Sequence, residues 1–299
     1  MSKTATAGNK LNSSPLFTAV SYAIVSIISL VCLIPFIVLL AGAFSSESAV
    51  LRDGYWFWPR EFSLKAFQYI FRYPGDVLSA YKVSLIITVV GTTISLFVST
   101  MAAYVIGRKE LKHRNKLSFF LFFTTLFSGG LAPYYIWLSR NLHLSNTYAV
   151  LILGPMFNVM YILILRSFIK NSVPEPLIES ARIDGAGELR IFLQMVLPLS
   201  KPALASIGVF TALAYWNDWW TAMMFTSRDN LIPLQYLLYK MLSSINLSAA
   251  MAQHVTNLDA PKETFKLAMT VIATGPILLV FPFAQKYFVS GVTIGAVKG

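Results

Sequence analysis

The apolar residues of this 299-residue chain gather into long runs nearly free of charge, which constrains the fold more than any other feature. An α-helix needs about 20 such residues to cross a bilayer core. Six runs are read, at 16–44, 81–107, 117–138, 148–169, 202–226 and 264–289. A soluble domain of this length would show periodic apolar faces interrupted by charges. Composition agrees, with 56% hydrophobic and only 12% charged residues, far to either side of soluble averages. The expected fold class is an all-α membrane protein with six transmembrane helices.

The first run, Leu16 to Phe44, is about twice the apolar length of a secretory signal, so it reads as an uncleaved span behind a tail at 1–15. In the second run Gly91, Ser95, Ser99 and Ala103 recur every fourth residue. That small-residue stripe lets another helix approach closely. Pro35, Gly129-Gly130-Pro133, Gly154-Pro155, Gly275-Pro276 and Pro282 interrupt several runs. Membrane helices tolerate such breaks where neighbours satisfy the freed carbonyls.

Orientation follows from the loops. Five of the ten residues 107–116 are Lys or Arg, against one acid, Glu110. Short loops of this kind stay in the cytosol, which places both termini there. The external side then holds loops 45–80 and 227–263. The first contains Tyr55-Trp56-Phe57-Trp58 with Phe62, Phe67, Tyr69 and Phe71. Aromatic residues this dense beside a span read as an interfacial segment, either an anchor or a rim that receives an external partner. Loop 227–263 is polar, with helical character around 233–243.

The formal charge of +11 is explained by the same loops and gives no ground for nucleic-acid binding. One cysteine, Cys32, excludes an intramolecular disulfide. His113, His143 and His254 fall in three different loops, so no metal or catalytic set is read. No phosphate-binding G-x-x-x-x-G-K-[ST] loop is present. The chain is therefore read as non-enzymatic, with no ATPase site and no cofactor of its own.

The segment 171–201 differs from every other loop. Pro174 and Pro176 suit a first helical turn, Glu175 and Glu179 complement its dipole, and Gly185 or Gly187 can end it. A second short helix is expected to run to about Leu197 and stop before Pro198. Both helices have an apolar side, Leu177, Ile178 and Ala181, then Ile191, Phe192 and Met195. That side must be buried, either against another protein or on this chain's own helix ends.

Glu179-Ser180-Ala181, Gly185 and, after nine intervening residues, Met195 with Leu197-Pro198 resemble the EAA loop of ABC importer permeases. Ser180 stands for the usual alanine and Met195 for the usual isoleucine. Ile183-Asp184-Gly185-Ala186 is the form common in carbohydrate importers. Leu126 to Tyr135, Trp216-Asn217-Asp218 and the ending Tyr287 to Gly299 are similar to MalG-like permeases, so the resemblance covers nearly the whole chain.

The resemblance implies a type I ABC importer (MetI-like) fold, with a permease domain at 16–290 and a cytosolic tail at 291–299. It implies that Glu179, Ser180, Ala181, Asp184, Gly185, Ala186, Leu197 and Pro198 couple the chain to an ATPase. Gly291, Gly295, Lys298 and Gly299 would contact the same ATPase dimer. The implied partners are a second, MalF-like permease, a homodimeric ABC ATPase that binds ATP and Mg, and an extracytoplasmic solute-binding protein. The chain would sit among lipid in the bacterial cytoplasmic membrane and pass oligosaccharides of plant or algal polysaccharides, alginate- or pectin-type.

Asp218 is the one acid read inside a run, beside Asn217 and among Trp216, Trp219 and Trp220. An intramembrane ionisable group is a functional candidate, so Trp216, Asn217, Asp218 and Trp219 are read as a substrate pathway. An interfacial position, or pairing with the second permease, is the alternative for Asp218. A self-sufficient secondary transporter would need intramembrane coupling sites and inverted repeats; one acid and no visible repeat speak against it. The outward loops hold ten basic and seven acidic residues, a small excess that favours anionic sugars through steering.

Overall fold

The computed structural model describes residues 15–72, 74–251 and 261–278. Regular structure among them is helical, apart from an isolated antiparallel bridge between Ser45 and Phe62. The chain divides into two compact units, formed by the described parts of 1–69 with 258–271, and of 70–257 with 272–299.

The first unit begins with α1 (Pro15–Ala43), whose side chains from Leu16 to Leu40 are largely exposed on all sides. A helix apolar all round suits a lipid or helical environment. Only its end, Ala41 to Ala43, is buried, and a Cβ on Gly42 would stand 2.5 Å from the Leu267 methyl. Helices α2 (Glu47–Asp53) and α3 (Lys65–Ile70) follow. Ser46 caps α2 by accepting from the Ala49 amide at 3.2 Å and donates to Glu61 at 2.6 Å. The Glu47 carboxylate accepts from the backbone N–H groups of Lys262, Glu263 and Thr264, each at 2.9 Å, and from the Thr264 hydroxyl at 2.8 Å. These are orphan donors at the start of the helix 263–278, and a carboxylate there also complements the dipole.

The spine of the second unit is α4 (Pro74–Gly107), 34 residues and so about 50 Å long. It starts earlier than the expected 81, with Pro74 at the first helical position and Asp76 in the first turn. Gly91, Ser95, Ser99 and Ala103 are all buried, as their spacing predicts. A Cβ on Gly91 would lie 2.6 Å from the Tyr215 ring, and Ser95 Oγ donates to the Met156 carbonyl at 2.6 Å.

The remaining elements are α5 (Arg114–Leu126), α6 (Leu131–Ile136) with a π turn to Asn141, α7 (Tyr148–Leu153), α8 (Val159–Ser172), α9 (Glu175–Ile183) and α10 (Glu188–Ile191). After them come a π turn at Phe192–Val196, α11 (Leu197–Leu199), α12 (Lys201–Trp216), α13 (Trp220–Phe225) and α14 (Leu234–Met251). Helix α14 is longer than the expected 233–243.

Several expected spans are interrupted. Among the described residues, only α1 and α4 are individually long and apolar enough to cross a membrane; two bent pairs qualify when each is taken as one. Run 117–138 bends by 111° between Leu126 and Leu131, where Gly130 takes φ 93°. Run 148–169 divides into α7 and α8, with Asn158 accepting from the Met160 and Tyr161 amides to restart the helix. Run 202–226 breaks at Asn217. The sixth run continues beyond the described residues.

Two apolar clusters sit along α4. One joins Val83 and Ile87 to Leu138, Val150, Leu151, Ala222 and Phe225. The other joins Ala103, Tyr104 and Ile106 to α8, α9, α10 and α12, and it seats the segment with the spaced motif.

Candidate functional site

Helices α9 and α10 form the two arms of the hairpin expected at 171–201. Pro174 precedes α9 with extended backbone and Glu175 lies in its first turn. The turn is a Schellman closure: the Gly185 N–H donates to the Arg182 carbonyl and the Ala186 N–H to the Ala181 carbonyl, both at 2.9 Å. It requires a left-handed residue, and Gly185 supplies φ 81° while Gly187 stays at −73°. A Cβ on Gly185 would meet nothing within 4 Å, so backbone conformation alone demands glycine there.

The second arm departs from expectation. It does not stop before Pro198 but runs on to Leu199 through the π turn Phe192–Val196. An interior proline clashes with the carbonyl four residues back; the wider π turn relieves that, and the chain then bends by 80° at Ser200 into α12.

The hairpin buries its apolar side on its own chain. Ile178, Ala181, Ile191, Phe192 and Val196 are buried against α4 and α8, and Met195 and Leu197 pack beside them. Each large side chain so buried stabilises the seat by about 1.5–3 kcal/mol. Leu177, expected on that side, is instead exposed. What remains outward is a second set: Glu179, Ser180, Asp184, Gly185 and Pro198 are exposed, as are Ile183 (86%) and Leu189 (61%). The Glu179 and Asp184 carboxylates have no side-chain partner among the described residues, whereas Ser180 Oγ donates to the Leu177 carbonyl at 3.0 Å.

Charge ties the hairpin to the chain after α4. Arg182 donates to Glu110 Oε1 at 2.6 Å and, through two nitrogens, to Glu188 Oε1 at 2.9 and 2.5 Å. Tyr104 donates to Glu188 Oε2 at 2.7 Å. Arg108 pairs with Glu110 at 2.7 Å, its guanidinium 5.5 Å from the Tyr104 ring centre, and Lys109 pairs with Glu175. Burial pushes the Glu188 carboxyl up, but the Tyr104 hydroxyl and Arg182 outweigh it and hold the group below the usual carboxylate range. Its own backbone N–H holds Glu110 low; desolvation acts against this, and Arg182 and Arg108 add to the lowering.

The candidate substrate residues separate. Trp216 is buried and donates to the Ala273 carbonyl at 3.2 Å. Asp218 accepts from the Thr221 amide at 3.0 Å and so starts α13. Asn217 and Trp219 meet α14 instead: the Gln235 amide donates to Asn217 Oδ1 at 3.4 Å, and Trp219 stacks on Tyr239 with centroids 4.5 Å apart. The α14 contribution was not visible in sequence, since Gln235 and Tyr239 lie in a loop read as polar. The bend between α5 and α6 opens a recess of about 640 Å³ bordered by Gly129, Tyr134 and Trp137. Gly291, Gly295, Lys298 and Gly299 lie outside the described residues.

Comparison with known proteins finds relatives that match nearly the whole chain. The family described as "Binding-protein-dependent transport system inner membrane component" matches residues 5–294. The polygalacturonan/rhamnogalacturonan transport system permease protein YtcP of Bacillus subtilis is 38% identical over 95% of this chain and 99% of that one. Protein LplC of the same organism is 38% identical over 90% of each chain. A crystal structure of a bacterial ABC transporter involved in the import of the acidic polysaccharide alginate matches with TM-score 0.79 and 28% identity, covering 91% of this chain and 96% of that one.

Proposed function

This chain belongs to the family of binding-protein-dependent transport system inner membrane components, and we propose that it passes oligosaccharides of acidic polysaccharides, pectin- or alginate-type, into the bacterial cytoplasm. It does so as one of two permease subunits, beside a MalF-like partner. A homodimeric ATPase holding ATP and Mg drives it, and an external solute-binding protein loads it. The observation that supports the substrate class is that one relative is a polygalacturonan/rhamnogalacturonan permease and one structural neighbour an importer of the acidic polysaccharide alginate.

In this reading six spans cross the membrane with both termini in the cytosol, and the hairpin α9–α11 faces the ATPase. Glu179, Ser180, Asp184 and Gly185 lie on its outward side, with Ile183 and Leu189 beside them. Ala181, Ala186 and Leu197 take part in seating it on the permease. Gly291, Gly295, Lys298 and Gly299 form a second ATPase contact. Along the substrate path, Asn217 and Trp219 with Gln235 and Tyr239 offer an amide and aromatic surface of the kind that suits sugar rings. Trp216, buried beside them in the chain, and Asp218, which holds the start of α13, fix the backbone that carries Asn217 and Trp219.

The test is reconstitution in proteoliposomes with the second permease, the ATPase and the binding protein. ATP-dependent uptake of oligogalacturonate or oligoalginate, exceeding that of a neutral malto-oligosaccharide, is expected. Uptake driven by an ion gradient without ATP, or preference for the neutral sugar, would overturn the reading.

A further inference from the structure

Lys109 and Glu110, adjacent in the chain just after α4, grip both ends of α9. Lys109 pairs with Glu175 at its start, and Glu110 accepts from Arg182 at its end at 2.6 Å. Residues 175 and 182 are seven apart, two helical turns and so about 10 Å, on one face. Arg108 steadies Glu110 from the side at 2.7 Å and is itself mostly buried. Arg182 also reaches across the turn to Glu188, which Tyr104 of α4 holds from below. One guanidinium therefore joins α9, α10 and the end of α4.

The covalent route out of the hairpin is different in kind. From α10 the backbone passes through the π turn Phe192–Val196 and an 80° bend before α12 begins. Both interrupt the regular hydrogen-bond ladder that would make the two segments one continuous helix. Helix α4 is continuous for 34 residues and enters the two apolar clusters described above, so a push at its end reaches the cluster around Ile87 and Val83 about 30–36 Å along the helix. Single exposed ion pairs stabilise a fold little; what this set supplies is a fixed register between α9 and α4.

We propose that Arg108-Lys109-Glu110 is a clamp that passes displacement of α9 into α4, with Arg182 as its central positioning residue. This rests on the reading of the hairpin as the ATPase-facing element. Motion imposed on α9 moves α4 through the side-chain clamp, and α12 follows with slack.

The experiment uses the reconstituted importer. Arg182→Met is expected to lower uptake at least tenfold while the complex assembles at wild-type yield and still hydrolyses ATP within about twofold of wild type, so that sugar moved per ATP collapses. Lys112→Met, an exposed cation of the same loop outside the clamp, is expected to leave both rates unchanged. In a Cys32→Ser background, Glu110→Cys with Arg182→Cys should be equally impaired, recover uptake when joined by a short bis-thiosulfonate linker, and lose it again on reduction. A merely structural role would not give recovery through a reversible tether. Wild-type uptake by Arg182→Met, or a linked pair that stays inactive, overturns the clamp alone. A wild-type complex without ATP-driven uptake overturns the underlying reading, and the clamp with it.

Discussion

Glu47 in the first unit and Glu188 in the second are both carboxylates held by several donors, but they grip different things. Glu47 takes three backbone N–H groups and a hydroxyl at the start of one helix. Those donors have no intrahelical partner, so the contact completes an element and is spent inside its own unit. Glu188 takes side chains only, Tyr104 and Arg182. Side-chain contacts fix a hairpin without using up its outer surface, leaving Glu179, Ile183, Gly185 and Leu189 outward. A backbone cap closes a structure; a side-chain network mounts one.

Five perturbations break or sharpen that contrast, in falling order of expected effect. Ile191→Ala removes a fully buried side chain from beneath the hairpin and should cost about 2–5 kcal/mol, read as a lower unfolding temperature in detergent. Glu47→Ala should cost about 2 kcal/mol through the lost cap. Hydrogen exchange should then quicken at 262–266 and stay unchanged in the hairpin; equal loosening of both would erase the distinction. Gly185→Val forces a β-branched residue to φ 81°, a strain of about 1–3 kcal/mol. Uptake should fall about tenfold with insertion intact, and normal uptake would remove the turn from coupling.

Ile183→Ser should change stability by less than about 0.5 kcal/mol, since the side chain is 86% exposed, yet weaken ATPase binding severalfold in a pull-down titration. The smallest effect concerns acid. Glu188 and Glu110 both have carboxyls lowered from the ordinary 4.5. Groups depressed in the folded state stabilise it above their unfolded value and lose that contribution as pH falls through the folded one. Hairpin amide protection should therefore be flat from pH 8 to about 5 and decline only below about 4.5.

Much of this was legible in sequence because it depends on local pattern. The stripe Gly91, Ser95, Ser99 and Ala103 reads as a close-contact face, and it is buried. Residue type narrowed the left-handed closure of the turn to two glycines, and the Schellman bonds select Gly185. The bend after Leu126 coincides with the Gly-Gly pair. Less legible was Asp218: an acid in an apolar run looks functional, but capping α13 depends on the helix breaking at Asn217, which no glycine or proline announces. Leu177 shows the same limit, since a nine-residue helix has several apolar positions and burial selects only some.

The sequence by itself determined the helical membrane class, the hairpin and its turn, because apolar run length, small-residue spacing and positive φ act over a few residues. Only the tertiary structure decided which face of the hairpin is used up on its own chain and which stays outward. It alone joined Arg182 to Glu110, 72 residues away, and Tyr104 to Glu188, 84 away. In sequence those residues are ordinary loop charges and a tyrosine, since nothing local encodes which distant donor a carboxylate meets. That pairing follows from how α8 and α9 pack on α4, set by the shape of the whole apolar cluster.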